Sequence, residues 1–273
     1  MEDWKSYLTD TEIIVHAGGL SERWYPVTQG QIPKPVTTIG SKPRPVIDWV
    51  LLPYVKSGVR KFFITLWHNP EAIINHCEKI KENTGIDFVY LLEEEKRMGK
   101  AGVVKHYLQK GILDPSKHKL NLNSSDIVKY NIENFVKFHL EGLSKGSLTT
   151  ILGSRTGSTQ FDKLVYDAAT GQVVRLESKP IINLLEGEVA NVGTVYFDSK
   201  VNELFLRLSD EELPVDWEKC SISDEIFKSA RCFSGVEIVK SWIALKASHD
   251  HSKFKNVDFE NWFGVNSVEE YLG

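Results

Sequence analysis

Apolar residues in the first half of the chain follow two alternating patterns. Short β-branched or aromatic runs at Glu12 to His16, Lys61 to Trp67, Ile86 to Leu92, Lys119 to Leu122 and Ser147 to Leu152 predict buried strands. Between them, apolar residues recur at helical spacing. A helix is expected over Val46 to Lys56, where Pro53 removes a backbone donor and introduces a kink or a weak point. A second is capped and opened by Asn69-Pro70, carries Ile73, Ile74, Cys77 and Ile80 on one face, and stops before Gly85. A third covers Lys100 to Lys110 and ends at Gly111, and a fourth covers Asn131 to Leu143, capped by Asn131 with Phe135 and Leu140 inward.

Strand and helix alternate over short links. That predicts an α/β fold, Rossmann-like, in three α/β/α layers around a mostly parallel sheet, with ligands at the carboxyl ends of the strands. After about residue 155 the pattern changes: Leu164 to Tyr166 and Gln172 to Glu177 flank a turn at Ala168 to Gly171, and Val192 to Phe197 is a further strand. This second half reads as a smaller α+β elaboration. Neither a Ser/Gly/Pro-rich linker nor an internal repeat separates the two, so residues 1–273 are read as a single domain with halves at 12–155 and 156–273.

Composition narrows the classes. With 41% hydrophobic and 26% charged residues among 273, the chain has the balance of a globular protein. It contains no apolar run near the ~18 residues of a membrane span. Lys and Arg number 33 against 37 Asp and Glu, a net charge of -4, so no global positive field draws it to nucleic acid or anionic lipid. An anionic ligand must be met locally. Cys77, Cys220 and Cys232 form no CxxC pair and Met1 to Asp10 is polar, which together predict a reducing, cytoplasmic location.

The local answer is the string Ala17-Gly18-Gly19-Leu20-Ser21-Glu22-Arg23-Trp24-Tyr25-Pro26-Val27-Thr28-Gln29-Gly30-Gln31-Ile32-Pro33-Lys34-Pro35, directly after the first strand. Glycines let backbone N–H groups approach an anion closely. Arg23 offers a fork to phosphate oxygens, and Lys34 supplies a point charge between two prolines. A Gly-Gly turn alone is commonly a plain surface loop; the whole string is far more specific.

This string resembles the signature of the sugar-phosphate nucleotidylyltransferases, Ala-Gly-Gly-x-Gly-Thr-Arg-Leu-x-Pro-x-Thr followed by Pro-Lys-Pro. Four further segments are similar, in the family's order. Met98 to Lys105 resembles the Leu-Gly-Thr-Ala-Gly-Ala nucleotide loop, with Glu94 at the acidic position before it; Asn123 to Ile127 resembles the Asn-Gly-Asp-Ile metal segment. Glu177-Ser178-Lys179-Pro180 resembles Glu-Glu-Lys-Pro, and Asn191-Val192-Gly193-Thr194 resembles the Asn-x-Gly that meets the sugar. The resemblance implies a fold of the nucleotide-diphospho-sugar transferase type. It also implies transfer of a nucleotidyl group from a nucleoside triphosphate to a sugar 1-phosphate, giving an NDP-sugar and pyrophosphate. Arg23 and Lys34 would be catalytic. Ala17, Gly18, Gly19, Glu94 and Gly99 would bind the nucleotide, and Glu177, Lys179, Asn191 and Gly193 the sugar phosphate. Asp126 would hold the cofactor, Mg²⁺. Partners are thus small molecules rather than nucleic acid or membrane, with self-association as a homo-oligomer left open.

The chain also departs from the pattern. Gly-Thr of the signature is Ser21-Glu22, the last Glu of Glu-Glu-Lys-Pro is Ser178, and the family's second metal carboxylate aligns with Ala244, which cannot bind a metal. Two readings follow: an active nucleotidylyltransferase, or a catalytically impaired relative that binds nucleotide or sugar phosphate and regulates a partner. Survival of Arg23, Lys34, Asp126 and Lys179 favours the first. The run Glu93 to Arg97, apart from Glu94, and the triplet His249-Asp250-His251 are read as solvated surface.

Overall fold

The computed structural model describes residues 3–20, 30–93, 96–155, 162–178, 184–238 and 257–273. Among these residues the centre is a sheet of ten strands, with β2 (Thr38–Ile39) and β3 (Arg44–Pro45) paired apart from it. Along the main path the order is β5 (Asp87–Leu92), β4 (Lys61–Leu66), β1 (Glu12–His16), β6 (Lys119–Asn123), β11 (Glu188–Phe197), β8 (Thr149–Ser154), β12 (Ala230–Ile238) and β7 (Val128–Lys129). Strands β5, β4, β1 and β6 run parallel, as do β8 and β12; β11 lies antiparallel between β6 and β8. A hairpin of β9 (Lys163–Tyr166) and β10 (Val173–Glu177) hangs from β11. The two halves of the sequence therefore interleave in one sheet.

The alternation of side chains along each strand divides the core into two layers. Ile13, Val15, Phe62, Ile64, Leu120 and Leu122 face one side, where helices α1 (Trp4–Asp10), α2 (Val46–Lys56), α3 (Pro70–Thr84) and α5 (Ile132–Ser144) cover them. Ile14, Phe63, Ile151, Val195 and Phe197 face the other, under α4 (Gly99–Gln109), α6 (Val201–Leu206) and α7 (Ser223–Lys228). The three-layer α/β/α architecture is thus present.

Local departures from the sequence reading have physical causes. Helix α2 runs unbroken through Pro53, which sits near its C-terminal end, and nine of its eleven residues are buried; tertiary packing outweighs one lost backbone bond. Asn69 does not cap α3 with its side chain. It takes a left-handed conformation (φ 48°) and donates from Nδ2 to the Gly30 carbonyl at 3.2 Å. Asn131 does cap α5, accepting from the Asn134 N–H at 2.9 Å. All three cysteines are buried thiols, and burial pushes Cys77 up to about 12. Among the described residues, no helix is long and apolar enough to cross a membrane.

Candidate active site

Four parallel strands end at one place. The chain leaves β1 through Ala17, whose N–H donates to the Thr65 carbonyl of β4 at 3.0 Å, while the Ser124 N–H beyond β6 donates to the His16 carbonyl at 3.1 Å. Glu93, just past β5, is tied by its N–H to the Leu66 carbonyl at 2.8 Å. These ends surround a cavity of about 310 Å³ lined by Ala17, Gly18, Gly19, Lys34, Gly99 and Asp126, with His16, Glu93, Arg97, Lys100, Asn123 and Asp216 among the other residues of its wall. In open α/β sheets ligands lie in the crevice outside the carboxyl ends of the strands.

Glycine matters at several points round the cavity. A Cβ on Gly18 would stand 3.0 Å from the Trp67 nitrogen and 3.1 Å from Glu93 Oε1, so the neighbouring strand end would have to give by a few tenths of an ångström. Gly99 has φ +73°, and a Cβ there would lie 2.5 Å from the Val215 carbonyl oxygen. That close approach docks the 215–216 loop on the start of α4: Val215 N–H donates to the Met98 carbonyl at 3.0 Å and Ala101 N–H to the Val215 carbonyl at 3.2 Å. The Lys100 N–H donates to Asp216 Oδ1 at 3.0 Å, and Glu93 accepts from Met98 and Gly99 N–H groups. The start of α4 is therefore already capped by two carboxylates.

Charge in the cavity is mixed. Lys34, on a short 3₁₀ turn (Lys34–Val36) opened by Pro33, and Arg97, whose guanidinium sits 6.0 Å from the Trp67 ring centroid, bring positive charge together with Lys100. Burial opposes the charge on Lys100, but the carboxylates of Glu218, Asp216, Asp126 and Asp162 outweigh it and raise its pKa. Burial likewise opposes ionisation of Asp216, yet the Lys100 ammonium and backbone N–H hold it below the usual range. Burial, aided by the Lys100 charge, lowers His16 to about 4, so the ring is neutral; it bonds Asn121 at 2.7 Å and faces the Thr65 hydroxyl at 3.4 Å.

The residues expected to meet the sugar are placed differently. A register shift between Asn191 and Val195 in β11 puts Gly193 at φ +76°, so close to the cavity wall that a Cβ would fall 1.9 Å from Asn123 Nδ2. Asn191 is 6% exposed and turns back on the chain, its Oδ1 accepting from the Gly193 N–H at 2.9 Å. Glu177 does not line the cavity. Lys163, at 2.8 Å, and Arg175, at 2.8 Å, both bond its carboxylate and lower its pKa.

The structure thus gathers Ala17, Gly18, Gly19, Lys34, Gly99 and Asp126 round one space, with Gly193 against its wall. Arg23, Glu94, Lys179, Ala244 and the His249–His251 triplet lie outside the described residues. Glu93, read from sequence as solvated, is 8% exposed because its N–H continues the β5 ladder and draws the carboxylate inward. His16, Lys100 and Asp216 were not singled out either. Lys100, standing where the resembled loop has Thr, was the available signal; Asp216 carried none.

For a metal, the donor set is sparse. Among the described residues, no group of three or more His, Cys, Asp or Glu is arranged to hold an ion. Asp126, 7% exposed, accepts at Oδ2 from Asn123 Nδ2 at 2.7 Å. One carboxylate fits Mg²⁺ when phosphate oxygens and water complete an octahedral shell.

Known proteins are similar to this chain in sequence and in fold. Residues 12–230 match the nucleotidyl transferase family. Mannose-1-phosphate guanyltransferase of Debaryomyces hansenii is 25% identical over 193 residues, covering 70% of this chain and 51% of that protein. The Candida albicans enzyme of the same name is 25% identical over 194 residues, with the same coverages. The chain spans about half the length of these curated relatives. In fold it is similar to HddC from Yersinia pseudotuberculosis, with a TM-score of 0.68 at 18% identity over 89% of this chain and 99% of that one. A complex of HddC with GMP-PN superposes with a TM-score of 0.65, also at 18% identity. With most of its length matched and the cavity in place at the strand ends, the chain belongs to the nucleotidyl transferase family.

Proposed function

We propose that the chain transfers a guanylyl group from GTP to a sugar 1-phosphate of the mannose type, releasing pyrophosphate and forming a GDP-sugar. The observation that carries this reading is the convergence of Ala17 to Gly19, Lys34, Gly99 and Asp126 on one cavity from separate segments of the chain. The choice of guanine and of a mannose-type sugar is supported by the names of the two yeast relatives.

In the proposed reaction a phosphate oxygen of the sugar 1-phosphate attacks the α-phosphorus of GTP. A new P–O bond forms as the bond to the pyrophosphate oxygen breaks, and the electron pair leaves with pyrophosphate. The nucleophile is already anionic, so no side chain must remove a proton; the neutral His16 and the engaged Glu93 suit a site that positions and does not titrate. Lys34 and Arg23 stabilise charge gathering on pyrophosphate. Lys179 holds the acceptor phosphate, and Gly18, Gly19 and Gly99 admit the nucleoside against backbone. Asp126 would hold Mg²⁺, which when bound neutralises phosphate charge.

A second reading, a binding-only regulatory relative, is favoured by one observation, Ala244 in place of a carboxylate. Pyrophosphate release measured for ATP, GTP, CTP, UTP and dTTP against a panel of sugar 1-phosphates separates the two. Turnover with GTP and mannose 1-phosphate is expected; tight nucleotide binding without pyrophosphate release from any pair would support the binding-only reading.

A further inference from the structure

Lys100 stands where local physics opposes a cation. It is the second residue of α4, at the positive end of the helix dipole, and no acidic residue occupies that first turn. Its side chain is only 23% exposed, toward the cavity, so it has also lost much of its hydration. Carboxylates compensate: Glu218, 8% exposed, has Oε1 3.9 Å from Lys100 Nζ, and Asp216, Asp126 and Asp162 act on the ammonium through their fields.

A clamp holding the 215–218 loop against α4 would be the plainer role. That loop, however, is already fixed by the backbone bonds of Val215 to Met98, Ala101 to Val215 and Lys100 N–H to Asp216, none of which uses the ammonium. The separation of 3.9 Å from Glu218 is also too long for a hydrogen bond. The ammonium is held by charge on a flexible stem, on the wall that also carries Asp126.

We propose that Lys100 is a substrate-binding residue of this site, a tethered cation that meets the triphosphate and supplies charge a second metal ion would otherwise bring. The inference rests on the triphosphate reading above. Two consequences of opposite sign follow. Triphosphate should bind measurably without metal, because one cation is built in. Metal alone should bind poorly, because the ammonium competes for the same carboxylates.

The test is calorimetry with GTP, GMP and Mn²⁺ as separate probes, on the parent chain, Lys100→Met and Lys100→Arg. If the turnover screen selects another base, the matching triphosphate and monophosphate replace GTP and GMP. In EDTA, Lys100→Met is expected to bind GTP ~10-fold or more weakly, the scale of one charge-assisted contact, and GMP within ~3-fold of the parent. Lys100→Arg should recover most of the GTP affinity. Mn²⁺ without nucleotide should bind several-fold more tightly to Lys100→Met. A variant that binds GTP in EDTA as the parent does overturns the proposal, as does equal weakening for GTP and GMP, the mark of a displaced loop. Those results, beside a parent that turns over triphosphate, sink this inference alone; a parent that binds no triphosphate with or without Mg²⁺ sinks the functional reading as well.

Discussion

At the strand ends expected to take the nucleotide, β1, β4, β5 and β6 and the loops beyond them bring the side chains of Lys34, Arg97 and Lys100 to an open space. Around the residues expected to meet the sugar, the hairpin of β9 and β10 and the shifted strand β11 bind their polar groups to one another. Glu177 accepts from Lys163 and Arg175, Lys163 also bonds Glu188 at 2.9 Å, and Asn191 is turned onto Gly193. On the reading proposed above, the nucleotide meets a space already lined by cations, whereas a sugar phosphate that uses Glu177 or Asn191 has to displace the bonds these side chains already make. That displacement would add a reorganisation cost to sugar binding.

The largest expected effect sharpens this contrast. Lys34→Ala and Arg23→Ala should each lower turnover by ~100-fold or more, the scale of removing one donor to developing charge. Steady-state kinetics decide it, and parent-like turnover in both variants would remove the phosphate cradle from the argument. Next, Glu177→Gln should raise KM for the sugar 1-phosphate by roughly 10-fold, as expected for a contact to a charged group, with KM for the triphosphate within ~2-fold. A rise in the triphosphate KM instead would break the comparison, because the two sides would then be coupled.

A smaller change is expected from Ala244→Asp. Restoring a second carboxylate should move the Mg²⁺ titration of turnover a few-fold to lower concentration, since Mg²⁺ favours one or two carboxylates with phosphate oxygens. An unmoved titration would show that another group already fills the role. The smallest effect on turnover is that of pH between about 6 and 8, where His16 stays neutral. Stability responds instead. Burial holds His16 down at about 4 and His139 at about 3, whereas an unfolded histidine protonates near 6.5. The unfolded chain therefore takes up protons first, and stability, complete above about pH 6.5, falls as pH drops toward 4. Urea midpoints at pH 7.5, 6.0 and 5.0 should decline in that order; a constant midpoint would contradict the burial of both rings.

The parts of the fold legible in the sequence were those with strong periodicity. Strands β1, β4, β5, β6 and β8 and helices α2 to α5 carry continuous apolar runs or stripes, and the glycine loop after β1 announces itself by composition. Strand β12 was not read, because Ser234 and Gly235 interrupt its apolar run. Helix α1 is short and buries one apolar residue, Leu8, so it leaves almost no stripe. The start of β11 escaped because Glu188 is a charged residue buried by its bond to Lys163, a long-range pairing with no local mark. The site divides likewise. Backbone-defined positions such as Gly18 and Gly99 are visible in sequence, while Asp216 joins the cavity only through the docking of its loop onto α4.

The placing of β11 also sets an order of assembly. All ten of its residues are buried, and it fills the gap between β6 and β8, both of which precede it in the chain. During synthesis those two strands emerge early, yet neither can complete its pairing until Glu188 to Phe197 arrives. The middle of the sheet thus closes late and through distant contacts, the circumstance that slows folding most. Until then the growing chain carries two unpaired apolar edges at its centre instead of its rim, which makes the interval before residue 197 the time of greatest exposure to aggregation.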